Sequence, residues 1–240
     1  NQRIDKVIAP SRFMRSKLIE GGWPEDKVIF LQNFADDAIL KRASNVGTDL
    51  TDRENPYLLF FGRLSVEKGV DTLLRAFDAA LPSLPQKMRL VVVGDGPDAS
   101  DFKTLASSLG CASRIEFAGY QTGGALQAYV ERASLAISSS RCRENMPYSI
   151  VEAFAAGTPV IGTDIGGIPE LVDEGKTGFI CEPGGVPSMA DAISRGTSAF
   201  LNRSAYSMLQ RNCRSYVMEN CSREKFMSDL VNLYKEAIDG

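Results

Sequence analysis

A chain of 240 residues with 30 acidic and 27 basic side chains carries a net charge of −3, so its global field gives no reason to bind nucleic acid, and any anion site must rest on local cations. Hydrophobic residues at 44% and charged residues at 24% are soluble-globular values, and the length suits one large domain or one and a half. No apolar run reaches the roughly 18 residues of a membrane span, histidine is absent, and the five cysteines form no CxxC pair, which argues against a disulfide framework or zinc site and for a reducing compartment, the cytoplasm.

The opening residues, Asn1 to Lys6, are no signal peptide. Residues 5–9 read as a short strand, and Ser11 can cap a helix that ends at Gly21-Gly22. A second short strand covers 28–31. Residues 35–55, with Asp36, Asp37, Asn45, Gly47 and Asp49, are polar and poor in pattern and read as a link. The first strand has no partner nearby, so the chain is expected to open inside something larger.

Regular alternation begins at 57–62, a continuous apolar strand, followed by an amphipathic helix over 70–81. A strand at 89–94, a helix at 98–109, a strand at 114–118 and a helix at 124–132 come next. Strands at 135–138 and from Pro159 bracket a central helix that Pro147 opens and Gly157 stops. A short helix over 169–174 and a last strand over 178–183 complete the pattern, and helices near 187–201, 204–219 and 222–238 close the chain. Unbroken apolar strands alternating with helices predict an α/β fold, a parallel sheet covered on both faces.

Ligands of such sheets bind beyond the carboxyl ends of the strands, so the turns there are where chemistry is expected. The first, Gly62 to Gly69, carries Arg63 and Lys68 at a helix start, a plausible diphosphate clamp; alternatively Lys68 pairs with Glu67 or Glu144 and Arg63 is merely exposed. The second, Gly94 to Ala99, formally reads GxGxxA with Glu116 some twenty residues on. It follows an inner strand, and a tight turn is the preferred meaning over a dinucleotide site. The third, Gly119-Tyr120-Gln121, could face a base. The fourth runs from Ser138 to Pro147 and carries Glu144. The fifth holds Gly166-Gly167, where backbone can come close to a ligand.

Glu152 sits within the apolar central helix, eight positions after Glu144. A carboxylate there needs partners. Sugar or ribose hydroxyls would serve, and so would an arginine or backbone donors.

These motifs together resemble the C-terminal, donor-binding domain of retaining glycosyltransferases of family 4, built as one half of the two-domain GT-B architecture. The motifs are Phe61-Gly-Arg-Leu-Ser-Val-Glu-Lys-Gly69, Val93-Gly-Asp-Gly-Pro97, Glu144-x7-Glu152 and Ala156 to Glu170, within residues 57–183. The resemblance implies a Rossmann-like domain over 36–220. It implies that residues 1–35 are the tail of an N-terminal acceptor domain plus linker, and that 221–240 form a helix crossing back to that domain. It also implies roles. Arg63 and Lys68, with Gly62 beside them, hold the donor diphosphate. Glu144 contacts the donor sugar, Glu152 the ribose, Asn145, Met146, Pro147, Tyr148 and Ser149 the phosphates, and Tyr120 lies near the base. The fourth turn departs from the family, since Ser-Ser-Ser-Arg-Cys-Arg precedes Glu144 where a shorter loop is common.

The expected activity is metal-independent hexosyl transfer from a UDP- or GDP-sugar substrate, with no cofactor, to a glycan or lipid-linked acceptor. No Asp-x-Asp cluster stands at a strand end to hold a divalent ion. Membrane contact is expected to be peripheral at most. The alternatives are a nucleotide-sugar-binding module without transferase activity, another GT-B enzyme such as a nucleotide-sugar epimerase, and, on the GxGxxA match alone, a dehydrogenase domain.

Overall fold

The computed structural model describes residues 4–44 and 49–239; residues 1–3 and 240, at the ends of the expected first and last units, and 45–48, within the expected link, lie outside it. The elements in chain order are β1 (Val7–Ala9), α1 (Arg12–Glu20), β2 (Val28–Phe30), α2 (Asp37–Ser44), β3 (Tyr57–Phe61), α3 (Val70–Ala80), β4 (Arg89–Val93), α4 (Ala99–Ser107), β5 (Ile115–Gly119) and α5 (Gly123–Arg132). They continue with β6 (Leu135–Ser138), α6 (Tyr148–Ala156), β7 (Val160–Thr163), α7 (Ile168–Leu171), β8 (Gly178–Cys181), α8 (Val186–Leu201), α9 (Arg203–Asn220) and α10 (Arg223–Asp239).

Six strands form one wholly parallel sheet in the order β5-β4-β3-β6-β7-β8. The chain winds outward from β3 to β5, then returns to the other side of β3 to lay down β6, β7 and β8. The order therefore reverses between β3 and β6, the crevice where ligands of doubly wound sheets bind. All five side chains of β3 are buried. Leu58 and Phe60 point into a core shared with α3 and α8, while Tyr57, Leu59 and Phe61 join the opposite core beneath α2, α6 and α9. Burying each such side chain is worth about 1.5–3 kcal/mol. This two-sided covering explains the unbroken apolar run.

Two expectations fail. The first strand does have a partner: β1 pairs in parallel with β2, Val7 beside Val28, as a separate two-stranded sheet. Crossover through α1 makes that pairing, and neither strand's composition announced it. The supposed link also contains α2, with Ile39 and Ala43 buried and Ala35 fully buried just before it. Asp36 caps it, its Oδ1 accepting the Ile39 N–H at 2.8 Å. Apolar residues at 35, 39 and 43 form a stripe one residue wide, too thin to stand out among polar neighbours.

Ser11 caps α1 as expected, accepting the Met14 N–H at 3.0 Å. A second acceptor comes from across the fold. The Glu170 carboxylate takes the Arg12 and Phe13 N–H groups at 2.8 and 2.6 Å, so α7 holds the start of α1. The central helix α6 is closed by Gly157 in the left-handed conformation (φ 78°), and the buried Arg214 of α9 donates to the Ala156 carbonyl at 2.8 Å. A Cβ on Gly157 would lie 2.4 Å from that guanidinium, so glycine is required twice over. Among the described residues, no helix is long and apolar enough to cross a membrane.

Replacing Glu170 with alanine is expected to leave the six-stranded sheet intact and to loosen only the start of α1. Hydrogen exchange should show the Arg12 and Phe13 amides speeding up by roughly fivefold, the equivalent of one lost cap, with β3 amides unchanged.

Candidate functional site

Because the six strands are parallel, their carboxyl ends share one edge, and the turns there lie against one another. The turn after β3 crosses the turn after β4 through backbone: Leu64 N–H donates to Asp95 O at 2.9 Å, and Asp98 N–H to Leu64 O at 3.1 Å. The Asp98 carboxylate accepts the Val66 N–H at 2.8 Å. A Cβ on Gly94 would lie 1.9 Å from Gly62 O. The GxGxxA glycines therefore make room for a neighbouring turn, and the tight-turn reading stands in place of the dinucleotide one.

The turn after β6 is gripped from both sides. Arg141 N–H donates to Glu67 O at 2.8 Å and Ser139 Oγ to Lys68 O at 2.7 Å, on the β3 side. On the β7 side, Gly167 N–H donates to Glu144 O at 2.7 Å, and a Cβ there would lie 1.8 Å from Asn145 O. The expected close approach at Gly166-Gly167 is thus to this turn's backbone.

A cleft of about 520 Å³ opens between β3 and β6, lined by Gly62, Arg63, Lys68, Ser140, Glu144, Pro147 and Ser149 among others. A second of about 550 Å³ continues along the ends of β3, β4 and β5, lined by Tyr120, Gln121, Thr122 and Leu126. The two share Phe61, Gly62 and Arg63. The Arg63 side chain is exposed on this shared wall and makes no hydrogen bond or ion pair among the described residues, its charge lying near Glu67. Tyr120 stands 73% exposed, its ring open to the second cleft.

Lys68 pairs with Glu144 across the first cleft. The Ser140 hydroxyl donates to the same glutamate oxygen, Oε1, at 2.7 Å, and the Cys142 thiol sits 3.6 Å from it. Burial pushes the Glu144 carboxyl up, but the hydrogen bonds from Lys68 and Ser140 and the lysine charge outweigh it and hold the group below its ordinary 4.5. Glu152 behaves oppositely. It lies half-buried on α6, outside the lining of either cleft, and burial raises its carboxyl above 4.5, with Arg42 opposing and Asp36 reinforcing the rise.

The run 145–149 divides. Pro147 and Ser149 face the first cleft. Asn145 accepts the Ser11 hydroxyl, Met146 is buried, and both line a separate pocket with Arg12 and Glu170. The Tyr148 hydroxyl donates to Phe34 O at 2.9 Å. Sequence reasoning did not single out Ser140 or Cys142; the serine run was visible, but not which hydroxyl would meet Glu144.

The opposite shifts give opposite pH dependences. A carboxyl held low contributes stability above its unfolded value and loses it as pH falls below 4.5, whereas a raised one costs stability until it protonates. At pH 7 and without nucleotide, Glu144→Gln should lower Tm by a few degrees and Glu152→Gln should raise it. The first gap should close as pH falls below 4.5, and the second on the way down to it. Calorimetric scans from pH 7 to pH 4 check both signs.

Comparison with known proteins places this geometry. Residues 55–198, more than half of the chain, match the family described as Glycosyl transferases group 1. The N-acetyl-alpha-D-glucosaminyl L-malate synthase of Bacillus anthracis is 27% identical over 99% of this chain and 61% of that protein. A GDP-mannose-dependent alpha-(1-6)-phosphatidylinositol monomannoside mannosyltransferase of Mycobacterium tuberculosis is 30% identical over 79% of this chain and 52% of that protein. The chain thus spans less than two thirds of these relatives. The crystal structure of Anabaena HepE in complex with UDP superposes with a TM-score of 0.82 at 22% identity, covering 97% of this chain and 64% of that one. That likeness shows the fold, one Rossmann-like half of a GT-B architecture with its C-terminal helices. With its family match spanning most of the sheet and both clefts, the chain belongs to the glycosyl transferases group 1 family.

Proposed function

We propose that the chain is the nucleotide-sugar donor-binding half of a retaining, metal-independent hexosyltransferase acting on a glycan or lipid-linked acceptor. The observation that carries this reading is the convergence of Arg63, Lys68 and Glu144 on one cleft at the point where strand order reverses. The unpaired N–H groups at the start of α6 lie at the same place, and a helix N-terminus favours anions. The relatives named for transfer from GDP-mannose and the fold neighbour solved with UDP agree with a nucleoside diphosphate, UDP- or GDP-linked, as the anion.

In this reading Arg63, whose side chain makes no hydrogen bond or ion pair among the described residues, grips the diphosphate with its planar fork. Lys68 turns from Glu144 to the same phosphates, and together they stabilise the charge that develops as the sugar leaves. Glu144 holds the donor sugar, Tyr120 packs near the base along the second cleft, and Glu152, one turn of α6 beyond the cleft-lining Ser149, takes the ribose. Of the run 145–149, the backbone at Pro147 to Ser149 lies against the phosphates, Asn145 and Met146 being turned to a separate pocket. The leaving phosphate handles the proton, and attack on the face of departure retains anomeric configuration. Five free thiols, four of them buried, suit a cytoplasmic setting. Acceptor binding and water exclusion fall to a second domain. Orientation of both reactants supplies about 7–11 kcal/mol of barrier lowering, which one wall of a cleft does not provide.

A thermal-shift panel of UDP-, GDP- and ADP-sugars tests the reading, because a ligand that binds only the folded state raises Tm; no shift with any of them would overturn it. Arg63→Ala and Lys68→Ala should each weaken nucleoside-diphosphate binding by roughly 1.5–3 kcal/mol, read by calorimetry. Glu152→Gln should weaken even the bare nucleotide, whereas Glu144→Gln should spare UDP or GDP and weaken only the sugar donor. The 240-residue chain should bind donor and transfer nothing until the acceptor domain is supplied as a fusion.

A further inference from the structure

We infer that Ser140 is a positioning residue that fixes which oxygen of Glu144 faces the donor. The inference rests on the donor-site reading above and adds a residue to it. Ser140 is 3% exposed, and its hydroxyl donates to Glu144 Oε1 at 2.7 Å. Lys68 and the Cys142 thiol meet that same oxygen. Among the described residues nothing bonds to Oε2, so the carboxylate is presented to the cleft by one oxygen.

The three donors are not equivalent. A lysine ammonium is a mobile point charge on a long stem and imposes little direction, and a thiol is a weak donor. Ser140 is short, and its backbone is tied down. Its carbonyl accepts the Thr163 hydroxyl at 2.7 Å from the end of β7, and its neighbour Ser139 donates to Lys68 O at 2.7 Å. Gly69 lies so near Ser139 that a Cβ there would come within 2.1 Å of its carbonyl. Hydrogen bonds from the end of β7 and to the turn after β3 thus tie down the serine pair from which Ser140 donates to the carboxylate oxygen.

The consequence appears when a diphosphate arrives. Lys68 is the group a phosphate draws away, and Glu144 would then be free to swing. Ser140 carries no charge and remains, so it keeps Oε2 aimed at the sugar after the lysine has changed partner. A merely structural serine would affect the fold and every ligand alike. A positioning serine affects only the part of the affinity that the sugar contributes.

The test is titration calorimetry of UDP against UDP-glucose and GDP against GDP-mannose, on wild type and on Ser140→Ala. The expected result is unchanged affinity for the bare nucleotide and a loss of the extra affinity for the sugar nucleotide by roughly tenfold, near the size of one hydrogen bond to a charged group. Ser140→Thr, which keeps the hydroxyl, should retain the extra affinity. If thermal unfolding shows that Ser140→Ala does not fold, Thr163→Val removes the hold on the Ser140 backbone and should reduce the same increment. A wild type with no preference for sugar over bare nucleotide would overturn the role given to Glu144, and this inference with it. A wild type with that preference, kept in full by the folded serine variant, would overturn this inference alone.

Discussion

The backbone of the turn carrying Glu144 is held between two neighbouring turns, and the site depends on that grip. On one side stand the carbonyls of Glu67 and Lys68, accepting Arg141 N–H and Ser139 Oγ. On the other, Gly167 N–H reaches Glu144 O at 2.7 Å. Two of these three contacts are backbone against backbone, and the glycines at 69, 166 and 167 bring the turns closer than a Cβ would permit. They join the turns that follow three neighbouring strands, β3, β6 and β7, into one rim. An ionisable group at such a rim needs little reorganisation to meet a ligand, which is what electrostatic preorganisation requires.

The rim also divides the labour of the two glutamates. Glu144 is stabilised as an anion by a cation and a hydroxyl, whereas Glu152 carries a burial penalty with only partial relief from Arg42. One is held ready; the other is a charge whose environment favours neutrality.

The pocket behind the rim links the site to the start of the chain. Asn145 accepts the Ser11 hydroxyl, and Glu170 caps α1. The β1–α1–β2 unit is therefore tied to the turn that carries Glu144, through Asn145 beside it and through Glu170.

By itself the sequence determined the strands, the crossover helices and which turns share the sheet edge, because apolar period and helix stops are local signals. It also determined that Arg63, Lys68 and Glu144 stand on turns at that edge, since a parallel sheet leaves no other place for them. Tertiary structure decided the rest. It showed α2, whose three-residue apolar stripe is meaningful only against α6, and the pairing of β1 with β2. It turned the glycines of 166–167 from ligand contacts into contacts between turns, and showed which neighbour the tight turn at 94–96 makes room for. It sent Asn145 and Met146 away from the cleft, and chose Ser140 among three consecutive serines to hold the glutamate. Each of these depends on what approaches from a distant part of the chain, and spacing along the sequence carries no record of that.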